Sequence, residues 1–197
     1  MIARLRPLYN GFVIPLGKAS VILGFSPNFW TLFSLFSAFL GAIFLYEGRF
    51  WWGLILIVVM FAADVMDGAT ARANGTPGQF GTVFDHVIDR YAEFLVIGGL
   101  MAGKWISPII GTFVISGIIM ASYVRAKAES AGGLKDCAVG LAGRAEKLIL
   151  TYGSIILFGF GYGKWAAIML ILVGLISHFT AVQRLLYAKA VIASRIS

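Results

Sequence analysis

Long apolar runs alternate with short polar breaks along the chain. Uncharged runs at residues 29–46, 105–124 and 165–183 are each long enough, or nearly so, to cross a bilayer as a helix. The run at 148–163 is shorter and extends at either end. Two other runs are incomplete by themselves. The stretch from Trp51 to Ala63 stops at Asp64, so its helix, about Phe50 to Ala73, must carry polar residues in its final turns. Phe94 to Gly103 becomes a full span only when Thr82 to Glu93 is included, and that span then bears Asp85 and Asp89. The fourth helix covers about Ser107 to Ala128, the fifth opens at Gly143 to Lys147, and the sixth closes at Val182 to Arg184. The pattern predicts an all-α integral membrane protein with six transmembrane helices, in one domain over residues 1–197.

Residues 1–25 read differently. Arg4, Arg6 and Lys18 stand among apolar residues, with Leu8, Phe12, Leu16, Ala19 and Leu23 three or four apart, the pattern of an amphipathic helix lying in the membrane interface. Lys18 and Pro15 interrupt the apolar run and no A-x-A site follows, which argues against a signal peptide. Pro15 is the place where this helix would kink or divide. Ser26 and Pro27 then form an ordinary helix start, the serine capping and the proline at the first position. That role leaves Asn28 and Thr31, in the first turn, unexplained.

Composition agrees with a membrane protein: 59% of the residues are hydrophobic and only 13% charged, about half the usual share of charge, and mean hydropathy is +0.89. With the N-terminus in the cytoplasm, the outer connections carry only Arg49, Lys104 and Lys164 of the sixteen basic residues. This asymmetry places both termini and the polar motif on the cytoplasmic side of the cytoplasmic membrane. The net charge of +7 is then accounted for by topology and by anionic headgroups or substrates, without nucleic acid. The single cysteine, Cys137, cannot form an internal disulfide and reads as a reduced loop thiol.

The chemistry concentrates in one polar stretch, Asp64 to Asp89, with the pattern D-x2-D-G-x2-A-R-x8-G-x3-D-x3-D at Asp64, Asp67, Gly68, Ala71, Arg72, Gly81, Asp85 and Asp89. On helices, each aspartate pair shares one face, separated by roughly 60° and roughly 40°. Two such faces turned together make a four-carboxylate cage. Carboxylates this close repel where water is scarce, so they must take up protons or metal ions. An all-oxygen donor set favours hard divalent ions, Mg2+ first, with Mn2+ or Ca2+ also suited, and four carboxylates suit two ions, a device used in phosphoryl chemistry. Gly68 and Gly81 serve either close helix packing or backbone room for a nucleotide, and the sequence alone does not choose. Arg125, Arg144 and Arg184 come from three helices at the predicted depth of the carboxylates and could form a phosphate pocket, although membrane-edge anchoring explains any one of them. Lys127, Lys147, Lys189 and Arg195 read as anchors. Arg90 and Glu93 are expected to pair with neighbours. His86 and His178 read as packed or hydrogen-bonded residues without a catalytic role. A divalent-cation transporter is the alternative from another class, but its acids would sit near mid-membrane, not at one end of two helices.

At every fixed position this motif resembles the signature of the CDP-alcohol phosphotransferases, integral membrane enzymes that join a CDP-linked group to an alcohol and release CMP. The resemblance extends over nearly the whole chain. It implies a homodimer, two metal ions on Asp64, Asp67, Asp85 and Asp89, and Asp89 as the base that takes the acceptor's proton. It also implies a CDP site made by Asn28, Phe29, Trp30, Thr31, Asp64, Asp67, Gly68, Ala71, Arg72, Gly78, Gly81 and Asp85. The segments SYVRAKAES, GRAEKL and AVQRL are similar to those of phosphatidylinositol-phosphate and archaetidylinositol-phosphate synthases, in which basic residues at the positions of Arg125, Arg144 and Arg184 bind the phosphate of inositol 1-phosphate. Arg125 stands where bacterial members have Lys. Gly78 stands where many have Ser or Thr, a contact that nearby Thr76 would then have to supply. Glycerol 3-phosphate and serine are the alternative acceptors, and a phosphate pocket disfavours serine.

Overall fold

The computed structural model describes residues 6–75 and 78–195, with the side chains of residues 6–12, 144 and 145 outside the described part. Seven helices are present among the described residues and no strand: α1 Arg6–Ile22, α2 Pro27–Tyr46, α3 Phe50–Ala73, α4 Gln79–Ala102, α5 Pro108–Ser130, α6 Arg144–Gly159 and α7 Gly163–Ala193. The chain divides into two compact units, Met1–Gly99 and Leu100–Ser197.

Helix boundaries follow the local chemistry. Ser26 accepts a hydrogen bond from the Phe29 amide with Pro27 at the first position of α2, and Ser107 does the same for the Ile110 amide ahead of α5. At the end of α1, Gly24 adopts φ +81° while the Phe25 amide reaches back to the Ser20 carbonyl. Gly48, at φ +77°, closes α2 in the same way. A left-handed residue at that position satisfies the last carbonyls of a helix. Pro15 stands inside α1, which continues through it without dividing.

In the first unit, α1 packs on α3 through Val13, Gly17 and Ser20, which are buried, while Leu16, Ala19 and Leu23 of the predicted apolar stripe are exposed. The described part of the stripe thus faces outward, as a helix lying in a membrane interface requires, while the side chains of Leu8 and Phe12 lie outside the described residues. Small residues allow close approach elsewhere. A Cβ on Gly53 of α3 would lie 3.1 Å from the Gly41 carbonyl oxygen of α2, and one on Gly99 of α4 would lie 2.7 Å from the Ala42 Cα. In the second unit, α5 and α7 meet in the same manner: a Cβ on Gly117 would lie 3.1 Å from the Gly174 carbonyl.

Four helices, α2, α3, α5 and α7, are long and apolar enough to cross a membrane, and only 33% of each spanning window is buried. The exposed remainder is itself greasy, including Phe36, Phe39, Ile55, Val58, Leu172 and Leu175, so these faces require lipid. Inside, several small polar side chains are satisfied within their own helices: Ser34 donates to the Thr31 carbonyl, Ser37 to Phe33, Thr151 to Lys147 and Thr180 to Ile176. That is what a solvent without hydrogen-bonding capacity demands. The six spans expected from the sequence become four by this measure for two reasons. Helix α4 carries Asp85, Asp89, Arg90 and Glu93, and α6, at 16 residues, is about 24 Å long against a hydrocarbon core of about 30 Å.

Gly99→Val should destabilise the protein by about 1–3 kcal/mol through overpacking against the α2 backbone. Thermal unfolding in detergent would measure this, and an unchanged midpoint would show that α4 is not held there.

Candidate metal centre and the basic residues of the second unit

The carboxylates sit where apolar helices end in polar turns. Asp64 and Asp67 lie one turn apart near the end of α3, and Asp85 lies in the second turn of α4. Ligand oxygens of Asp64, Asp67 and Asp85 all lie within 4.8 Å of one another. Three acids converging with oxygen donors alone fit a hard divalent cation. Asp89 is buried, one turn further along α4, and does not belong to this group. Four residues of helix carry it about 6 Å along the axis from Asp85, so the structure brings together three of the four acids of the predicted cage.

Asp67 is held from a neighbouring helix. Its Oδ2 accepts a hydrogen bond from the Thr31 hydroxyl of α2 at 3.0 Å, in a buried setting. Thr31, unexplained as a helix-start residue, thus holds the Asp67 carboxylate. Two residues the sequence did not single out complete this corner. The Trp30 indole N–H donates to the Ser20 hydroxyl at 2.7 Å, and the Ser20 and Thr70 hydroxyls are hydrogen-bonded at 2.9 Å. Their only sequence signal is that Ser20 and Thr70 are polar residues on otherwise packed helix faces.

Gly68 and Gly81 have polar side chains, not helix backbone, as their neighbours. A Cβ on Gly68 would lie 3.1 Å from Nη1 of Arg72, and one on Gly81 would have Asn28 Oδ1, at 3.8 Å, as its neighbour. Neither glycine abuts another helix backbone, in contrast to Gly17, Gly53 and Gly99. Their bareness leaves room beside polar side chains, with Arg72 over Gly68 and Asn28 near Gly81. Of the remaining predicted nucleotide contacts, Ala71 is half-buried. Phe29 and Trp30 pack edge to face at 5.4 Å, and Gly78 is exposed with open space around it. Thr76 lies outside the described residues.

The basic residues of the second unit are more committed than the sequence implied. Arg184 is buried in α7, where its Nε donates to the Val139 carbonyl and its Nη1 to the Ala121 carbonyl. It ties the loop 131–143 to both α5 and α7. Arg125 of α5 is partly exposed and bonds Glu129 at 2.8 Å and Asp136 at 3.2 Å. Exposed pairs of this kind are worth little, so Arg125 can exchange its partners for a phosphate at small cost. The side chain of Arg144 lies outside the described residues. Lys147, expected as a membrane-edge anchor, is instead buried in α6, because its place on the helix face points into the protein and not outward. Lys127 and Lys189 are exposed, as anchors should be, and Arg195 caps the Gly132 and Gly133 carbonyls.

Other expectations resolve as structural roles. Arg90 pairs with Glu93 at 2.7 Å. His178 stacks on Phe113 and its Nε2 lies 3.1 Å from the Phe113 carbonyl oxygen, as expected of a packed residue, whereas His86, also expected to be packed or hydrogen-bonded, is exposed. Cys137 is fully buried against Ala128, Leu134 and Ala188, and burial pushes its thiol above the ordinary range.

Apolar helices that require lipid, holding clustered carboxylates suited to a divalent cation, define an integral membrane protein with a candidate metal centre. The CDP-alcohol phosphatidyltransferase model matches residues 25–193, and the chain belongs to that family. It is therefore a membrane transferase of phospholipid biosynthesis. Among its relatives, the archaetidylinositol phosphate synthase of Methanothermobacter thermautotrophicus is 32% identical over 190 residues, 95% of this chain and 93% of that protein. The phosphatidylinositol phosphate synthase of Mycobacteroides abscessus is 35% identical over 156 residues, 75% and 70% of the two chains. Of solved structures, the Mycobacterium tuberculosis phosphatidylinositol phosphate synthase with CDP-DAG bound matches with a TM-score of 0.78 at 25% identity, covering 90% of this chain and 93% of that one. The same enzyme in complex with manganese and citrate matches with a TM-score of 0.77 at 26% identity, covering 90% and 88%.

Burial and the raised pKa together should make Cys137 inert to maleimide in the native protein at neutral pH, because only the thiolate attacks. Labelling is expected to appear only as the protein unfolds; rapid native labelling would mean that the loop 131–143 opens.

Proposed function

We propose that the protein transfers the phosphatidyl-type group of a CDP-linked lipid to a hydroxyl of inositol 1-phosphate, releasing CMP. The observation that carries this reading is the convergence of Asp64, Asp67 and Asp85 beside Gly68, Arg72 and Asn28, an acidic group next to open backbone and polar side chains suited to a nucleotide. Relatives named as inositol phosphate lipid synthases over nearly the whole chain support the acceptor.

In this reading Asp64, Asp67, Asp85 and Asp89 hold two Mg2+ or Mn2+ ions. The chemistry these ions supply when bound is neutralisation of the pyrophosphate and stabilisation of departing CMP. Asn28, Phe29, Trp30, Thr31, Gly68, Ala71, Arg72, Gly78 and Gly81 line the CDP site. Asp89 accepts the proton from the acceptor hydroxyl, whose oxygen forms a bond to the lipid-bearing phosphorus as the bond from that phosphorus to CMP breaks. Arg125, Arg144 and Arg184 bind the acceptor's phosphate. The two carbonyl bonds of Arg184 set its guanidinium in place, and a preset donor loses little freedom on meeting an anion.

The whole chain works in this reading as one catalytic domain with six spans, a homodimer whose site and termini face the cytoplasm. Helix α4, at 24 residues, is about 36 Å long and can cross, and α6 crosses where the bilayer thins locally.

Purified protein given CDP-lipid and Mg2+ should release CMP with inositol 1-phosphate, and EDTA should stop it. Release with glycerol 3-phosphate or serine instead would overturn the acceptor. Asp89→Asn should lower turnover by at least about a hundredfold, the usual contribution of a general base, while CDP-lipid still binds; full activity in that variant would remove Asp89 as the base.

A further inference from the structure

Helix α1 contributes no acid to the metal centre, yet it meets α3 immediately behind that centre. Gly17 of α1 approaches α3 so closely that a Cβ there would collide with the Ala69 carbonyl. One turn further along α1, the buried Ser20 hydroxyl joins three helices: it accepts from the Trp30 indole N–H of α2 and shares a hydrogen bond with Thr70 of α3. These two partners bracket the Asp67 carboxylate. Trp30 precedes Thr31, which donates to Asp67, and Thr70 lies three residues after Asp67 on α3. All five side chains belong to the first unit, and Ser20, Thr31, Asp67 and Thr70 are all buried.

We infer that Ser20 is a positioning residue for the metal-binding acids, fixing the register of α2 against α3 and thereby the aim of the Asp67 carboxylate. A register shift of α2 by a fraction of an ångström moves Thr31, and the Thr31 hydroxyl is the donor that orients Asp67 Oδ2. Outer partners of metal ligands act in this way, by restricting the ligand's orientation before the ion arrives. Helix α1 also exposes Leu16, Ile22 and Leu23. The element that sets the aim of Asp67 is thus one that also carries an exposed apolar face, and the centre is complete only when α1 is packed on α3.

The inference rests on the proposed metal centre, and its test separates the two. Direct Mn2+ binding to the purified full chain, followed by electron paramagnetic resonance without any substrate, is the readout. Ser20→Ala and the isosteric Thr70→Val should each weaken Mn2+ binding by about tenfold, the lower end of what loss of an outer partner costs. Thr70→Ser, which keeps the hydroxyl, should bind near the wild-type level. Wild-type affinity in Ser20→Ala overturns the inference, as does an equal loss in Thr70→Ser and Thr70→Val. If Ser20→Ala does not fold, Trp30→Phe removes the indole donor while keeping an aromatic ring against Phe29 and Phe33 and should give the same weakening; no change there is equally fatal. Asp67→Ala is the control: undiminished Mn2+ binding in that variant sinks the metal centre itself, not the role of Ser20.

Discussion

Three carboxylates brought within 4.8 Å of one another at the ends of apolar helices are the constraint on which the first half of the chain depends. Like charges at that distance repel strongly wherever water is scarce, so the helices bearing them must be held together by something else. The glycine contacts of α2, α3 and α4 do this by bringing backbones close, since in lipid the driving force is packing and not the exclusion of water. A hydrogen bond from Thr31 then fixes one of the acids. The acidic cluster is tolerable because the surrounding helices are rigid, and useful because the repulsion is relieved by a cation.

The second half solves a different problem with different means. Its loop 131–143 has little regular structure and would be free to move, yet it is pinned from several sides. Arg184 donates to the Val139 carbonyl, Gln183 accepts from the Leu141 amide, and Glu129 accepts from the Cys137 amide. Burying a guanidinium is costly unless its donors are used, and two carbonyl partners meet that cost. The same bonds that hold the loop leave Arg184 fixed in direction, the condition under which an arginine can discriminate a phosphate.

Much of this was legible in the residues. The apolar runs placed α3 at Phe50 to Ala73 and the cap at Ser26, because span length and capping are local properties. The spacing of Asp64 and Asp67, and of Asp85 and Asp89, disclosed which acids share a helix face, because helix geometry relates near neighbours directly; the family was legible from the resemblance of the whole motif to a known signature. The outward stripe of α1 was also legible, since period alone identifies an apolar face.

What only the tertiary structure decided is which side chains from distant segments meet. Ser20, Trp30 and Thr70 are separated by as many as 50 residues, and no periodicity links them. The exclusion of Asp89 from the group of three and the burial of Lys147 depend on how helices rotate against one another. So does the commitment of Arg184 to two carbonyls. Sequence determined the elements, their apolar faces and the acids they carry, because those follow from short-range geometry and solvent preference. The partners of each polar group were settled by packing, because in a membrane interior every hydrogen bond must be found within the protein and its donors come from wherever the fold brings them.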